Sequence, residues 1–331
     1  LLPGARRARR SRGGGRRDLY ANLNHLDERA VLAMRAVDGT PLWRHDTTER
    51  LSRSPTVAAG VVYASTAEGH VLALAASAGA LLWEYDAGLI LFDRPIVADD
   101  TVYCSPAVNH PDTPMVLALD ARTGTHRWSA PIPRVHICAH RSCHTFDAAT
   151  GAPLSNQSFP REDYHYSAPV VVDGRVYVTL MRTWFEPGPD PMDFMAREQR
   201  SEADVYALRT ADGALVWRRV LTTGAASAAP TAPVVSGDRV YAGTGDGTLH
   251  VLAAADSTTA WQYQTGGRML STPIVVDDTL YIGASDGCVY ALDARDGALR
   301  WRTFTSTTVS VAVEIRIHSF TVEPHQPPGE G

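Results

Sequence analysis

The chain contains no lysine: all 31 of its basic residues are arginine, set against 36 aspartate and glutamate. That usage points to a high-GC genome rather than to a function. The charge is uneven. Residues 1–17 hold seven arginines and no acid, so the remainder carries 24 arginines against 36 acids, a net of −12. An acidic body does not suggest a nucleic-acid partner. Cysteine is scarce, with Cys104, Cys138, Cys143 and Cys288 too few for a disulfide framework. No run approaches the roughly 20 apolar residues that a membrane helix needs. The basic stretch from Arg6 to Arg17 is followed by no apolar run, so no signal peptide is visible. The chain opens on Leu1 rather than Met, which reads as an internal start with a targeting segment missing. Helical periodicity is missing as well, and turn signals recur in its place.

What is present is a repeat. Pro55, Pro95, Pro169, Pro233 and Pro273 are each followed eight residues later by a tyrosine: Tyr63, Tyr103, Tyr177, Tyr241 and Tyr281. Gly39, Gly79, Gly124, Gly213 and Gly297 are each followed four residues later by a tryptophan: Trp43, Trp83, Trp128, Trp217 and Trp301. Ser257 replaces the glycine before Trp261. The steps between successive tryptophans are nearly equal, except that from Trp128 to Trp217, which is twice as long as the rest. The long step hides a degenerate copy. Residues 134–154 align with 279–299 once one turn residue is dropped, and Ser155 replaces the tryptophan. Within each unit, short β-branched runs alternate with turns such as Ser285-Asp286-Gly287, a hairpin signal.

Four short strands per period of about forty residues is the pattern of a β-propeller, all-β, with four-stranded antiparallel blades. One such sheet cannot bury both faces alone, and stacking blades around an axis buries them on each other. The repeated Trp43, Trp83, Trp128, Trp217, Trp261 and Trp301 then read as docking residues on neighbouring blades. The glycine four residues earlier fits a turn that needs positive φ.

The sequence Val289-Tyr-Ala-Leu-Asp-Ala-Arg-Asp-Gly-Ala-Leu-Arg-Trp301 resembles the tryptophan-docking repeat of the pyrroloquinoline-quinone (PQQ)-like propellers. That family includes quinoprotein alcohol dehydrogenases, the assembly lipoprotein BamB and propeller sensor domains. The likeness covers roughly residues 30–305 and implies the fold more than a function. It also implies a site of action outside the cytoplasm.

Residues 1–19 read as a disordered Arg/Gly-rich tail, 20–322 as one propeller and 323–331 as a Pro/Gly tail. Val31 to Trp43 resembles only the last half of a repeat, so its first half needs a source. The period-two run Val309, Val311, Val313, Ile315, Ile317 reads as a strand. Closure by pairing this C-terminal strand with the N-terminal partial blade leaves no open edge and predicts seven blades, with eight the alternative. The remaining blades fall near 52–86, 92–130, 131–156, 164–220, 228–265 and 270–305.

Three places could carry chemistry. The first is the insertion 181–204, whose length as a loop is unusual in a compact domain. Trp184, Phe185 and Phe194 with Asp190 and Arg197 make it a candidate lid over the axial cleft or a partner-docking surface. The plainer reading packs the insertion on the adjacent short blade. The second is His136, Cys138, His140, Cys143 and His144, dense in metal ligands. A degenerate blade explains the same residues more simply, and a Cys138–Cys143 disulfide is the third reading. The third place is a PQQ site. The resemblance implies a stacking tryptophan, a pair of adjacent cysteines, calcium ligands and an aspartate base, and the sequence offers no Cys-Cys pair and no evident calcium ligands.

The sequence therefore predicts a binding scaffold that takes a protein partner or small ligand at a propeller face. It predicts a monomer with no assigned cofactor and no transmembrane segment. A PQQ-dependent dehydrogenase with a divergent site is the runner-up, and the sensor half of a larger protein comes third.

Overall fold

The computed structural model describes residues 18–25, 28–91, 93–106, 114–131, 134–139, 142–147, 153–157, 163–186, 198–225, 230–269 and 271–305. Among them there is no helix. Their strands fall in seven antiparallel sheets. Strands β1 (Asp18–His25), β2 (Glu28–Arg35) and β3 (Pro41–Asp46) form the first sheet. The second holds β4 (Thr56–Ala58), β5 (Val61–Ser65), β6 (His70–Ala75) and β7 (Leu81–Asp86). The third holds β8 (Ile96–Ala98), β9 (Thr101–Cys104), β10 (Val116–Asp120) and β11 (His126–Ala130). The fourth has β12 (Arg134–Ala139), β13 (Ser142–Asp147) and β14 (Pro153–Gln157). The fifth comprises β15 (Asp163–Tyr166), β16 (Val170–Val172), β17 (Arg175–Glu186), β18 (Glu198–Arg209) and β19 (Leu215–Ala225). The sixth holds β20 (Val234–Ser236), β21 (Arg239–Gly243), β22 (Thr248–Ala253) and β23 (Thr259–Gln264), and the seventh β24 (Ile274–Val276), β25 (Thr279–Gly283), β26 (Cys288–Asp293) and β27 (Leu299–Phe304).

The meander in each sheet follows from its turns. The tight turn after the three-residue inner strand needs positive φ, and the chain places there Ala59-Gly60, Asp99-Asp100 and Asp173-Gly174, all in the left-handed region. The β-branched inner strands are half-buried, and the Val/Leu/Ala middle strands fill the core. Val62, Ala64, Val71, Ala73 and Leu74 of the second sheet are all 0% exposed.

Sheet is joined to sheet by one repeated contact. The Trp43 ring lies where a Cβ on Gly79 would sit, 2.5 Å away, and its Nε1–H donates to the Ala76 carbonyl at 2.8 Å. Trp83 does the same on Gly124 and the Ala121 carbonyl, and Trp261 lies on Gly297. Trp217 donates to the Ala254 carbonyl at 2.9 Å, beside Ser257, whose φ of 64° holds the glycine position. The repeat tyrosine of the same sheet packs on the tryptophan, as Tyr63 does on Trp83 at 5.9 Å, and the Tyr63 hydroxyl donates to the same Ala121 carbonyl.

The succession passes over the fourth sheet. Trp128 of the third sheet lies on Gly213 and donates to the Thr210 carbonyl, both in the fifth, and β8 touches β16. The stretch expected as a fourth blade therefore forms a sheet that does not stand between its sequence neighbours. Its register still follows the repeat. Thr145 pairs with Ser155 just before a bulge, as Ala73 pairs with Trp83, so Ser155 does hold the tryptophan's place. Ser155 supplies no indole to lay on a neighbour.

The first sheet also departs from expectation. The missing half-repeat is largely supplied by β1, which starts at Asp18, and only an inner strand is lacking among the described residues. Tyr20 packs on Trp43 at 5.9 Å and donates to the Ala76 carbonyl, the role of Tyr63 one sheet later. No sheet closes the ring among the described residues.

The contact can be isolated by two alanines. Gly124 and Gly60 both have positive φ, 72° and 79°, but only Gly124 faces an indole; nothing lies within 4 Å of a Cβ on Gly60. Gly124→Ala should cost the backbone strain plus overpacking of about 1–3 kcal/mol, while Gly60→Ala costs strain of about 1 kcal/mol alone. Chemical denaturation of the two variants measures the difference.

Candidate functional site

The described residues of the insertion, 181–186 and 198–204, are strand rather than loop. Strands β17 and β18 pair without interruption from Arg175↔Arg209 to Glu186↔Glu198, so the hairpin continues as a ladder well beyond its usual length. Strand β19 runs on to Ala225 opposite Arg200, and β15 adds on the other side with Tyr166 opposite Leu180. The described arm is well covered: Met181, Arg182, Thr183, Ser201 and Ala203 are all buried. Arg218 bridges Glu202 at 2.7 Å and the buried Asp204 at 3.0 Å across this arm. Burial works against the Arg218 charge, and Tyr206, Asp204 and Glu202 outweigh it, so the guanidinium is held charged above its ordinary range.

Of the site residues expected here, Trp184 is half-buried on β17 with the Arg182 guanidinium 4.2 Å over its ring. Phe185 lies on the same strand opposite Gln199. Asp190, Phe194 and Arg197 fall outside the described residues. None of the described residues of 181–204 lines the axial cavity. The metal candidates fall on the fourth sheet. His136 and Cys138 are on β12, Cys143 and His144 on β13, and His140 is outside the described residues. The register sets Cys138 opposite Cys143 and His144 opposite Ile137, so His136 and His144 are not cross-strand partners.

The structure points elsewhere, to a cavity of about 710 Å³ where the inner ends of the sheets meet. The loops that enter the inner strands line it, together with β1. Its charged residues are Arg53, Asp93 and Arg94, among the hydroxyls of Ser52, Ser54 and Thr272. Arg53 and Asp93 hold the same place in successive repeats, and their side chains pair at 3.0 Å. Asp93 is 21% exposed at its side chain while Arg53 is 74% exposed. Burial pushes the Asp93 carboxyl above its ordinary range, against the pull of Arg53 and Arg94. Asn24 of β1 anchors the loop, accepting from the Leu51 amide at 3.0 Å and donating to its carbonyl at 2.7 Å. Tyr166 reaches the same cavity from β15, and its hydroxyl is buried without a partner among the described residues.

Motif reading does not find this site, because its residues precede the inner strands in plain loops. The available signal is the inequality of repeats. Arg53 and Asp93 are opposite charges at one repeat position, where Thr231 and Ser271 are neutral.

This lining does not fit PQQ with calcium as the resemblance implies. Among the described residues it holds one carboxylate, already facing Arg53, and neither a tryptophan nor a cysteine.

A family model described as outer membrane protein assembly factor BamB matches residues 19–141 and 139–326. No curated protein matches the chain. The similar solved structures are of low identity. BamB from Moraxella catarrhalis is 18% identical with a TM-score of 0.33, covering 88% of this chain and 96% of that one. Quinohemoprotein alcohol dehydrogenase from Comamonas testosteroni is 12% identical with a TM-score of 0.42, covering 92% and 67%. The computationally designed Ika8 protein is 12% identical with a TM-score of 0.45, covering 89% and 90%.

Asp93 gives a pH test. Its folded pKa is raised above the unfolded value of about 3.9, so ionisation costs the folded state stability at neutral pH. That cost is relieved as pH falls through the folded pKa. Asp93→Asn should therefore be neutral or stabilising at pH 7, and the advantage should shrink towards pH 4. Thermal unfolding of both proteins across that range checks the sign.

Proposed function

Because the chain belongs to the family described as outer membrane protein assembly factor BamB, we propose that it is a non-catalytic binding scaffold. It works outside the cytoplasm as a monomeric PQQ-like propeller, and its axial cavity holds an anionic group of a protein partner or small ligand. The lining of that cavity carries the reading. Two arginines stand against one aspartate, so the lining carries net positive charge. Arginine is suited to holding carboxylate or phosphate through paired donors. The surrounding hydroxyls orient a polar guest, and the volume is in the range of ligand sites. The exposed half of the Arg53–Asp93 pair adds little to stability, as exposed ion pairs contribute about 0–1 kcal/mol, so recognition is the better explanation of its place. No helix among the described residues is long and apolar enough to cross a membrane.

The alternative, a PQQ-dependent dehydrogenase, needs a carboxylate set that the cavity lining does not supply. One experiment separates the two. Calorimetric titration with citrate, a tricarboxylate, should give saturable binding that weakens as salt rises and falls about tenfold or more in Arg53→Ala. Titration with PQQ should show the same behaviour irrespective of calcium. Calcium-dependent PQQ binding accompanied by dye reduction with an alcohol would replace the scaffold by the enzyme. Absence of citrate binding at millimolar concentration would remove the cavity from the proposal.

A further inference from the structure

The charged pair in the axial cavity stands where the repeat otherwise carries a hydroxyl. Two residues before the repeat proline, the fifth, sixth and seventh sheets have Ser167, Thr231 and Ser271. Each hydroxyl accepts from a backbone amide of its own sheet: Thr179 at 3.1 Å, Gly243 at 3.0 Å and Gly283 at 3.1 Å. The second and third sheets have Arg53 and Asp93 at that position, and these side chains meet each other, Arg53 Nε to Asp93 Oδ1 at 3.0 Å.

Other bonds hold the two loops. The Arg53 carbonyl accepts from the side-chain amide of Asn22 on β1, and the Asp93 carbonyl accepts from the Ser65 hydroxyl of β5 at 2.9 Å. Both backbones are thus fixed independently of the charged side chains. The Arg53 side chain is largely exposed, so the carboxylate on it can be replaced by another without rebuilding either loop.

We propose that Asp93 is the internal occupant of an anion seat on Arg53, and that a guest enters the cavity by exchanging its own acid group for the Asp93 carboxylate. The inference rests on the axial-cavity reading and adds to it the residue that sets the threshold for binding. Exchange carries a proton. Burial raises the Asp93 pKa, against the opposing pull of Arg53 and Arg94, the two charged groups that face it. The titratable groups that reach the cavity from other elements are Tyr20 of β1 and Tyr166 of β15, which burial holds above the ordinary tyrosine range and therefore neutral. A guest that takes Arg53 removes one of the two supports of the ionised carboxyl, so the Asp93 pKa rises further on binding and a proton is taken up.

Calorimetric titration of the full chain with citrate tests the exchange by comparing the wild type with Asp93→Asn. At pH 7 the variant should bind about two- to fivefold tighter, because the pair that must be broken is an exposed one of small worth. The gap should narrow towards pH 4, and comparison of the two proteins at each pH cancels the titration of citrate itself. Titration in two buffers of unlike ionisation heat should show more proton uptake by the wild type than by the variant. Equal affinity of the two proteins, or weaker binding by Asp93→Asn, would overturn the exchange while leaving the cavity a ligand site. No citrate binding by either protein would remove the site and the exchange with it. The same substitution in an Arg53→Ala background separates exchange from simple repulsion. No gain is expected there, and a gain as large as that in the wild type would overturn the proposal.

Discussion

The structure depends on an indole laid flat on a glycine turn. The contact in its full form combines three things: an apolar ring of large area removed from water, a positive-φ turn that glycine fits without strain, and a carbonyl that receives both the indole N–H and the tyrosine hydroxyl. Trp83 and Tyr63 meet at the Ala121 carbonyl in this way. Because the carbonyl belongs to the next sheet, the contact sets the spacing between sheets rather than the shape of any one. The sheets are then free to differ in everything else, and they do: three strands in the first, twelve-residue strands in the fifth.

That division of labour explains where sequence is legible. The proline, tyrosine, glycine and tryptophan that build the contact recur at fixed spacings, so the fold, the turn conformations and even the substitution of Ser155 for a tryptophan can be read directly. Tyr20 escapes the pattern because it stands farther ahead of Trp43 than Tyr63 stands ahead of Trp83, and no proline precedes it at the repeat spacing. The insertion reads as a loop because Pro187, Pro189 and Pro191 interrupt any strand pattern in it. The ladder on either side is set by partners on β19 and β15 that lie far along the chain. The bypass of the fourth sheet cannot be read at all, since it depends on which turn Trp128 reaches, not on which residues follow it.

The axial cavity illustrates the opposite case. Function in a repeat fold sits where copies differ, because sameness is already used for packing. Arg53 and Asp93 occupy equivalent positions with opposite charge and meet across adjacent sheets. Neither residue belongs to a motif, and only their juxtaposition around the axis gives them a chemistry.

The reach of Trp128 has a further consequence for how the chain gathers itself. Most docking contacts close a segment of modest and equal length, as from Trp43 to Gly79 and from Trp261 to Gly297, whereas the segment that Trp128 closes to Gly213 is more than twice as long. Loop-closure entropy rises with the logarithm of length, so this seam carries about 0.8 kcal/mol more than its neighbours for the same ring on the same turn. Identical contacts are thus unequal in net stability, and the fourth sheet, added without disturbing the succession around it, leaves its trace as an entropic weakness at the junction it is looped out from.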